Sequence, residues 1–170
     1  TAWLLLGKPD IGMTLNGCLA GLVAITAPCA WVSMTDALII GAVAGSFVVF
    51  SVMFFDRMKC DDPVGATSVH LGCGTLGCIA VGLFAEVPAA GALAPSAGLF
   101  HGGGMDQLIK ELVGVGAIGA YTVIVSALCW LVIKYTIGLR VEAHEEIGGL
   151  DIGEHGNEAY YGFVMQAPGR

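Results

Sequence analysis

The chain has 170 residues, of which 56% are hydrophobic and only 12% charged. Its mean hydropathy is +0.80, whereas charged residues make up about a quarter of a soluble globular domain. The net charge of −7, with much of the acid in the stretch after Arg140, excludes the basic patch that nucleic-acid binding needs.

Taken in order, Thr1 to Leu6 reads as the last turns of a truncated span, stopped by Gly7 and Pro9. The first residues lack the basic start of a signal peptide, so the sequence is expected to be a C-terminal fragment. Met13 to Val32 and Ala37 to Phe55 are two apolar runs, the second ended by Asp56, Arg57 and Lys59. Gly17 with Gly21, and Gly41 with Gly45, place small residues four apart, which lets helix backbones approach closely.

Asp61 to Leu83 opens with two aspartates and a proline, then runs apolar around His70. Asp62 reads as an N-cap and Pro63 as the first helical residue. A helix continuing to Glu86 would be about 36 Å long at 1.5 Å per residue, enough to span a bilayer. Ala66, His70, Cys73, Gly74 and Gly77 then share one face, with His70 about two turns from the capped end. An ionisable residue at bilayer depth is a candidate functional site; a structural histidine bonded to a neighbouring helix stays open beside that reading. Neutral imidazole can donate and accept at once, which suits a narrow dry passage for a small molecule such as ammonia. Gly72 to Gly77 matches G-x-G-x-x-G, but in mid-helix it reads as close packing, not a dinucleotide loop.

Val87 to Gly104 is a Pro/Gly-rich connection without lysine or arginine, and Met105 to Ile137 is a long apolar helix. Gly138 to Arg170 is a polar, glycine-rich tail. The expected organisation is a transmembrane region over 1–137 and a tail over 138–170. Lys8, Arg57, Lys59, Lys134 and Arg140 flank alternate ends of the spans, so the positive-inside rule puts those connections and the tail in the cytoplasm. The six cysteines show no metal-ligand spacing and read as packing residues. Asn16 and Thr26 read as interhelical hydrogen-bonding residues on apolar helices.

Several stretches together resemble the Amt/Mep/Rh ammonium transporters, above all the Amt branch: LGKP (6–9), NGCLAGLVAITAPCA (16–30), ALIIGAVAG (37–45), DDPVGATSVH (61–70), GTLGCIAVGLFA (74–85), and GLRV, GLD, EHG and AY in the tail. The resemblance implies an all-α membrane protein, a polytopic helical bundle of which this sequence covers the end of helix 7 through helix 11 and the cytoplasmic tail. It implies a homotrimer in the plasma membrane with one ammonium/ammonia pore per subunit, and no cofactor, metal or enzymatic activity. His70 falls on one of the family's two pore histidines, and Asn16, Leu19, Thr26 and Ala66 fall on positions that line or border the pore. The tail motifs imply docking on a neighbouring subunit and a PII-type regulator. Leu71 stands where the family has glycine, and Gly153 near the place of a phosphorylated threonine in plant relatives. An ammonium sensor of the same fold, an intramembrane enzyme using His70, and a packing subunit without its own pore are the competing readings.

Overall fold

The computed structural model describes residues 1–86, 95–157 and 159, and among them it is all helical. Met34–Arg57, Thr67–Phe84 and Asp106–Thr136 are long and apolar enough to cross a membrane; the apolar helix Ile11–Thr26 is shorter. Residues 87–94 of the 87–104 connection, the end of the tail motifs and the C-terminus lie outside the described residues.

The residues fall into two units, Thr1–Gly119 and Ala120–Arg170. In the first, α1 (Ala2–Leu6) ends at Gly7, whose φ of 72° lets its N–H return to the Trp3 carbonyl. Helix α2 (Ile11–Thr26) is capped by the Asp10 carboxylate, which accepts from the Met13 N–H at 2.8 Å. Helix α3 (Met34–Arg57) is capped by Ser33, whose hydroxyl accepts from the Asp36 N–H at 3.2 Å. Both caps satisfy N–H groups that a helix start leaves without partners.

The two small-residue motifs meet each other. A Cβ on Gly45 would lie 3.4 Å from the Gly17 carbonyl oxygen, and one on Gly21 would lie 3.8 Å from the Gly41 Cα. Helices α2 and α3 therefore touch backbone to backbone, the arrangement that holds helices together in lipid, where apolar contact alone provides no preference. Around that seam Ala20, Ala24, Ile40, Ala44 and Val48 are buried, and Val69, Cys73 and Ala80 of the next helix complete the core.

That next helix, α4 (Thr67–Phe84), differs from its sequence expectation in three ways. It starts at Thr67, not Pro63, and ends at Phe84, not Glu86. Its first part, Thr67–Gly72, is a π-helix, in which the Cys73 N–H reaches the Ser68 carbonyl five residues back. His70 consequently lies about one turn from the helix start, not two. The physical reason is the Pro63-Val64-Gly65 segment, which forms a turn before the helix: the Gly65 N–H donates to the Asp62 carbonyl at 3.1 Å, and Gly65 takes a φ of 71°. Asp62 still caps the helix, from further away. Its two carboxylate oxygens accept from the Ala66 N–H at 2.8 Å and the Thr67 N–H at 2.7 Å.

Helix α4 lies hard against α2 at Gly77, where a Cβ would be 2.6 Å from the Ala24 carbonyl oxygen. At its far end, the Glu86 N–H donates to the Trp31 carbonyl at 2.7 Å and the Gly98 N–H to the Ala85 carbonyl at 2.7 Å. A short 3-10 turn, Leu99–His101, follows. Helix α5 (Asp106–Thr136) begins in this unit, with the Leu108 Cα 2.6 Å from where a Gly82 Cβ would be. At 31 residues it is about 46 Å long, longer than the hydrocarbon core of about 30 Å.

The second unit holds the rest of α5 and two short helices, α6 (Ala143–Gly148) and α7 (Leu150–Gly153). Glu142 and Glu145 form a reciprocal capping box at the start of α6, and Arg140 bonds Glu146 at 2.7 Å.

Candidate functional site: the groove beside His70

The π segment decides where the histidine points. Across it, each extra residue per turn rotates the following helix by about 100° relative to a 3.6-residue register. The face shared by Ala66, His70, Cys73, Gly74 and Gly77 in a regular helix is therefore split. Cys73 and Gly77 are buried against α2 and α3, while Ala66 and His70 are exposed. Leu71, also in the π segment, is 59% exposed and does not crowd the core.

His70 opens on a groove of about 520 Å³ between α2, the C-terminal end of α3 and the start of α4. Asn16 and Leu19 line it from α2, Val52 and Asp56 from α3, and Ala66 from α4. Four of the five residues singled out on the sequence, His70, Asn16, Leu19 and Ala66, are thus brought together. Thr26 is not: its hydroxyl donates to the Leu22 carbonyl one turn back at 2.8 Å, and it does not line this groove.

Asn16 has a second task. Its amide nitrogen donates to the Val64 carbonyl at 3.0 Å, tying α2 to the turn that aims the His70 helix. A Cβ on Gly65 would lie 2.6 Å from that same nitrogen. The Asn16 side chain, the Gly65 backbone and the Asp62 cap therefore interlock. Removal from water opposes ionisation of Asp62, but N–H groups of Thr67, Ala66 and Gly65 and the Thr67 hydroxyl outweigh it and hold the carboxyl below its usual range.

The sequence reading did not pick out Gly65. The signal was present: Asp-Pro-x-Gly is a turn pattern, with proline favoured at the second position and glycine at the fourth. The π segment has no comparable sequence mark.

The imidazole of His70 has no hydrogen-bond partner among the described residues. It offers one donor and one acceptor to whatever enters the groove. The walls are mostly apolar, with acidic side chains Asp10, Asp56 and Asp62 at one end. Such a lining suits a small neutral molecule that can both give and take a hydrogen bond.

Apolar spans in sequence, glycine seams between them and an imidazole on an interhelical groove define a multi-pass helical membrane protein. Comparison with known proteins gives the family. The profile of the Ammonium Transporter Family matches residues 1–160, and the chain belongs to that family. It is 41% identical over 165 residues to ammonium transporter Amt2 of Archaeoglobus fulgidus, covering 95% of this chain and 35% of that protein. An ammonium transporter of Mycobacterium tuberculosis is 38% identical over 157 residues, covering 91% and 33%. A solved structure of a protein titled Sensor Amt Protein matches with a TM-score of 0.78 and 30% identity, over 91% of this chain and 36% of that one. The chain thus spans about a third of the length of the curated relatives it matches.

Proposed function

We propose that this chain forms one side of a pore that carries ammonium or ammonia across a membrane, with His70 facing the substrate path. The observation that carries it is the groove: His70, Asn16, Leu19 and Ala66 open on one space, and the imidazole is left without a protein partner among the described residues. The remaining wall would come from segments such as its relatives carry in the other two thirds of their length.

In this reading ammonium is captured on the outer side, gives up its proton near the mouth, and passes His70 as ammonia. Neutral imidazole donates to the ammonia nitrogen or accepts from its N–H, replacing water that the apolar walls exclude. The proton stays outside or follows a separate histidine or water route.

The assembly would be a homotrimer in the plasma membrane. Residues 1–137 would be the membrane region, and 138–170 a cytoplasmic tail able to meet a neighbouring subunit or a PII-type regulator. The basic residues at alternate span ends support that orientation. Transport is preferred to sensing because the curated relatives named above are called transporters, although one solved neighbour is named as a sensor. Of the groove's three carboxylates, Asp10 and Asp62 are engaged in capping helices, so the intramembrane-enzyme reading is the weaker one.

The test is His70→Ala in the intact protein, reading both ammonium-driven current and methylammonium uptake. At least one should fall, or its preference for ammonium should relax. Wild-type values for both would refute the role given to His70.

A further inference from the structure

At the opposite end of the bundle from Asp62, three metal-binding side chains converge from three separate elements. Asp36 lies in the first turn of α3, Glu86 just after α4, and His101 in the 3-10 turn that precedes α5. One ligand atom from each lies within 4.8 Å of the others. The Asp36 Oδ2 and the His101 Nε2 are 3.1 Å apart.

The set is held from outside itself. The Asp36 side chain is only 13% exposed, and the Ser33 hydroxyl donates to the same Oδ2 at 2.7 Å. Glu86 is anchored by its N–H on the Trp31 carbonyl, and its carboxylate has no partner among the described residues. The loop bearing His101 is pinned by the Gly98 N–H on the Ala85 carbonyl.

The charge is not balanced. No lysine or arginine is within ion-pair distance of either carboxylate among the described residues, and Lys110, on α5, is paired with Asp106. Two carboxylates and a neutral imidazole carry a formal charge of −2, which one divalent cation would cancel.

We propose that Asp36, Glu86 and His101 bind a divalent transition-metal ion of the zinc class. Zinc takes imidazole nitrogen and carboxylate oxygen at about 2.0–2.2 Å, so tetrahedral donor atoms lie about 3.4 Å apart. The Asp36–His101 pair, at 3.1 Å, is close to that spacing, and the exposed Glu86 carboxylate lies within 4.8 Å of both. Three protein donors leave a fourth position for water. An imidazole in the set selects against magnesium and calcium, which prefer oxygen alone. Bound metal would clamp the ends of α3 and α4 to the turn before α5. No spacing motif marks the site, because Asp36 and His101 are 65 positions apart.

The experiment titrates ZnCl2 into the intact purified protein against a chromophoric chelator, in the presence of excess MgCl2. It should show one zinc ion per chain that magnesium does not displace. His101→Ala, Asp36→Asn and Glu86→Gln should each weaken binding by at least about 10-fold, the smallest loss expected even for a supporting residue of a metal site. Glu86→Gln alters an exposed side chain without a partner, so it reads the site even if Asp36→Asn loosens the start of α3. X-ray absorption at the zinc edge should show a nitrogen and oxygen shell without sulfur. Unchanged affinity in Glu86→Gln or His101→Ala, or a sulfur shell from the cysteines, would overturn the site and leave Asp36–His101 as an ion pair only.

Discussion

Two glycines three positions apart on α4 should respond in opposite ways to the same substitution. At Gly74 a new Cβ would have Val23 Cγ1 at 3.9 Å as its nearest neighbour, an ordinary contact. Alanine there costs nothing in packing and removes glycine's excess backbone entropy, a gain of about 0.5–1 kcal/mol. At Gly77 the Cβ would be 2.6 Å from the Ala24 carbonyl oxygen and 3.2 Å from the Ala24 carbonyl carbon and Cα. Those atoms are backbone of a facing helix, so no side-chain rotation relieves the clash. Helix α2 would have to move away, opening its own seam with α3 at Gly17 and Gly45. Overpacking of this kind costs about 1–3 kcal/mol, which against the helix gain of about 0.5–1 kcal/mol leaves a net loss of up to about 2.5 kcal/mol. The assay is thermal unfolding of the intact protein in detergent, followed by intrinsic fluorescence. Gly74→Ala should melt at or above the wild-type temperature, and Gly77→Ala several degrees below it. Equal shifts for the two, or a Gly77→Ala variant that melts above wild type, would refute the α2–α4 contact.

Further outcomes follow from the same contacts. Gly65→Ala should destabilise the start of α4, since a left-handed backbone costs a residue with a Cβ about 1–2 kcal/mol and the new carbon meets Asn16 Nδ2 at 2.6 Å; melting temperature and methylammonium uptake should both fall. Asn16→Leu should lose the bond to Val64, about 1 kcal/mol, and lower uptake by loosening the turn that aims His70. The Asp62 cap should be pH-dependent: its carboxyl is held below the usual range, so the stabilisation is complete above about pH 3.9 and is lost as the pH falls further, as the gap in melting temperature between wild type and Asp62→Ala will show by closing in acid. Ser68 is fully buried and its hydroxyl has no partner among the described residues, so Ser68→Ala should be neutral or stabilising by up to about 1 kcal/mol in the same melting assay.

The legible part of the fold was the part written in apolar length and small-residue spacing. Runs of apolar residues marked α3 and α5 to within three residues, because in lipid only a continuous hydrogen-bonded helix is tolerated; α2 was marked at its start, but it ends at Thr26, six residues before the end of its apolar run at Val32. Gly17, Gly21, Gly41 and Gly45 announced close packing, though not that the two pairs would pack on each other. The start of α4 was misplaced because Pro63 suits two positions equally, the first residue of a helix and the second of a turn, and only Gly65 argues for the turn. The face assigned to His70 rested on a regular 3.6-residue register. The π segment breaks that register. The grouping of His70, Asn16, Leu19 and Ala66 could be reached from the family resemblance; the Asp36, Glu86 and His101 cluster could not, since its members are neighbours only once three helix ends have been brought together.

The groove itself is tested most directly by filling it. Leu19 is 48% exposed on its wall, so tryptophan can replace it without entering the core. Leu19→Trp in the intact protein should insert and melt like wild type while methylammonium uptake is abolished. Wild-type uptake with the indole in place would mean that the substrate does not pass along this groove beside His70.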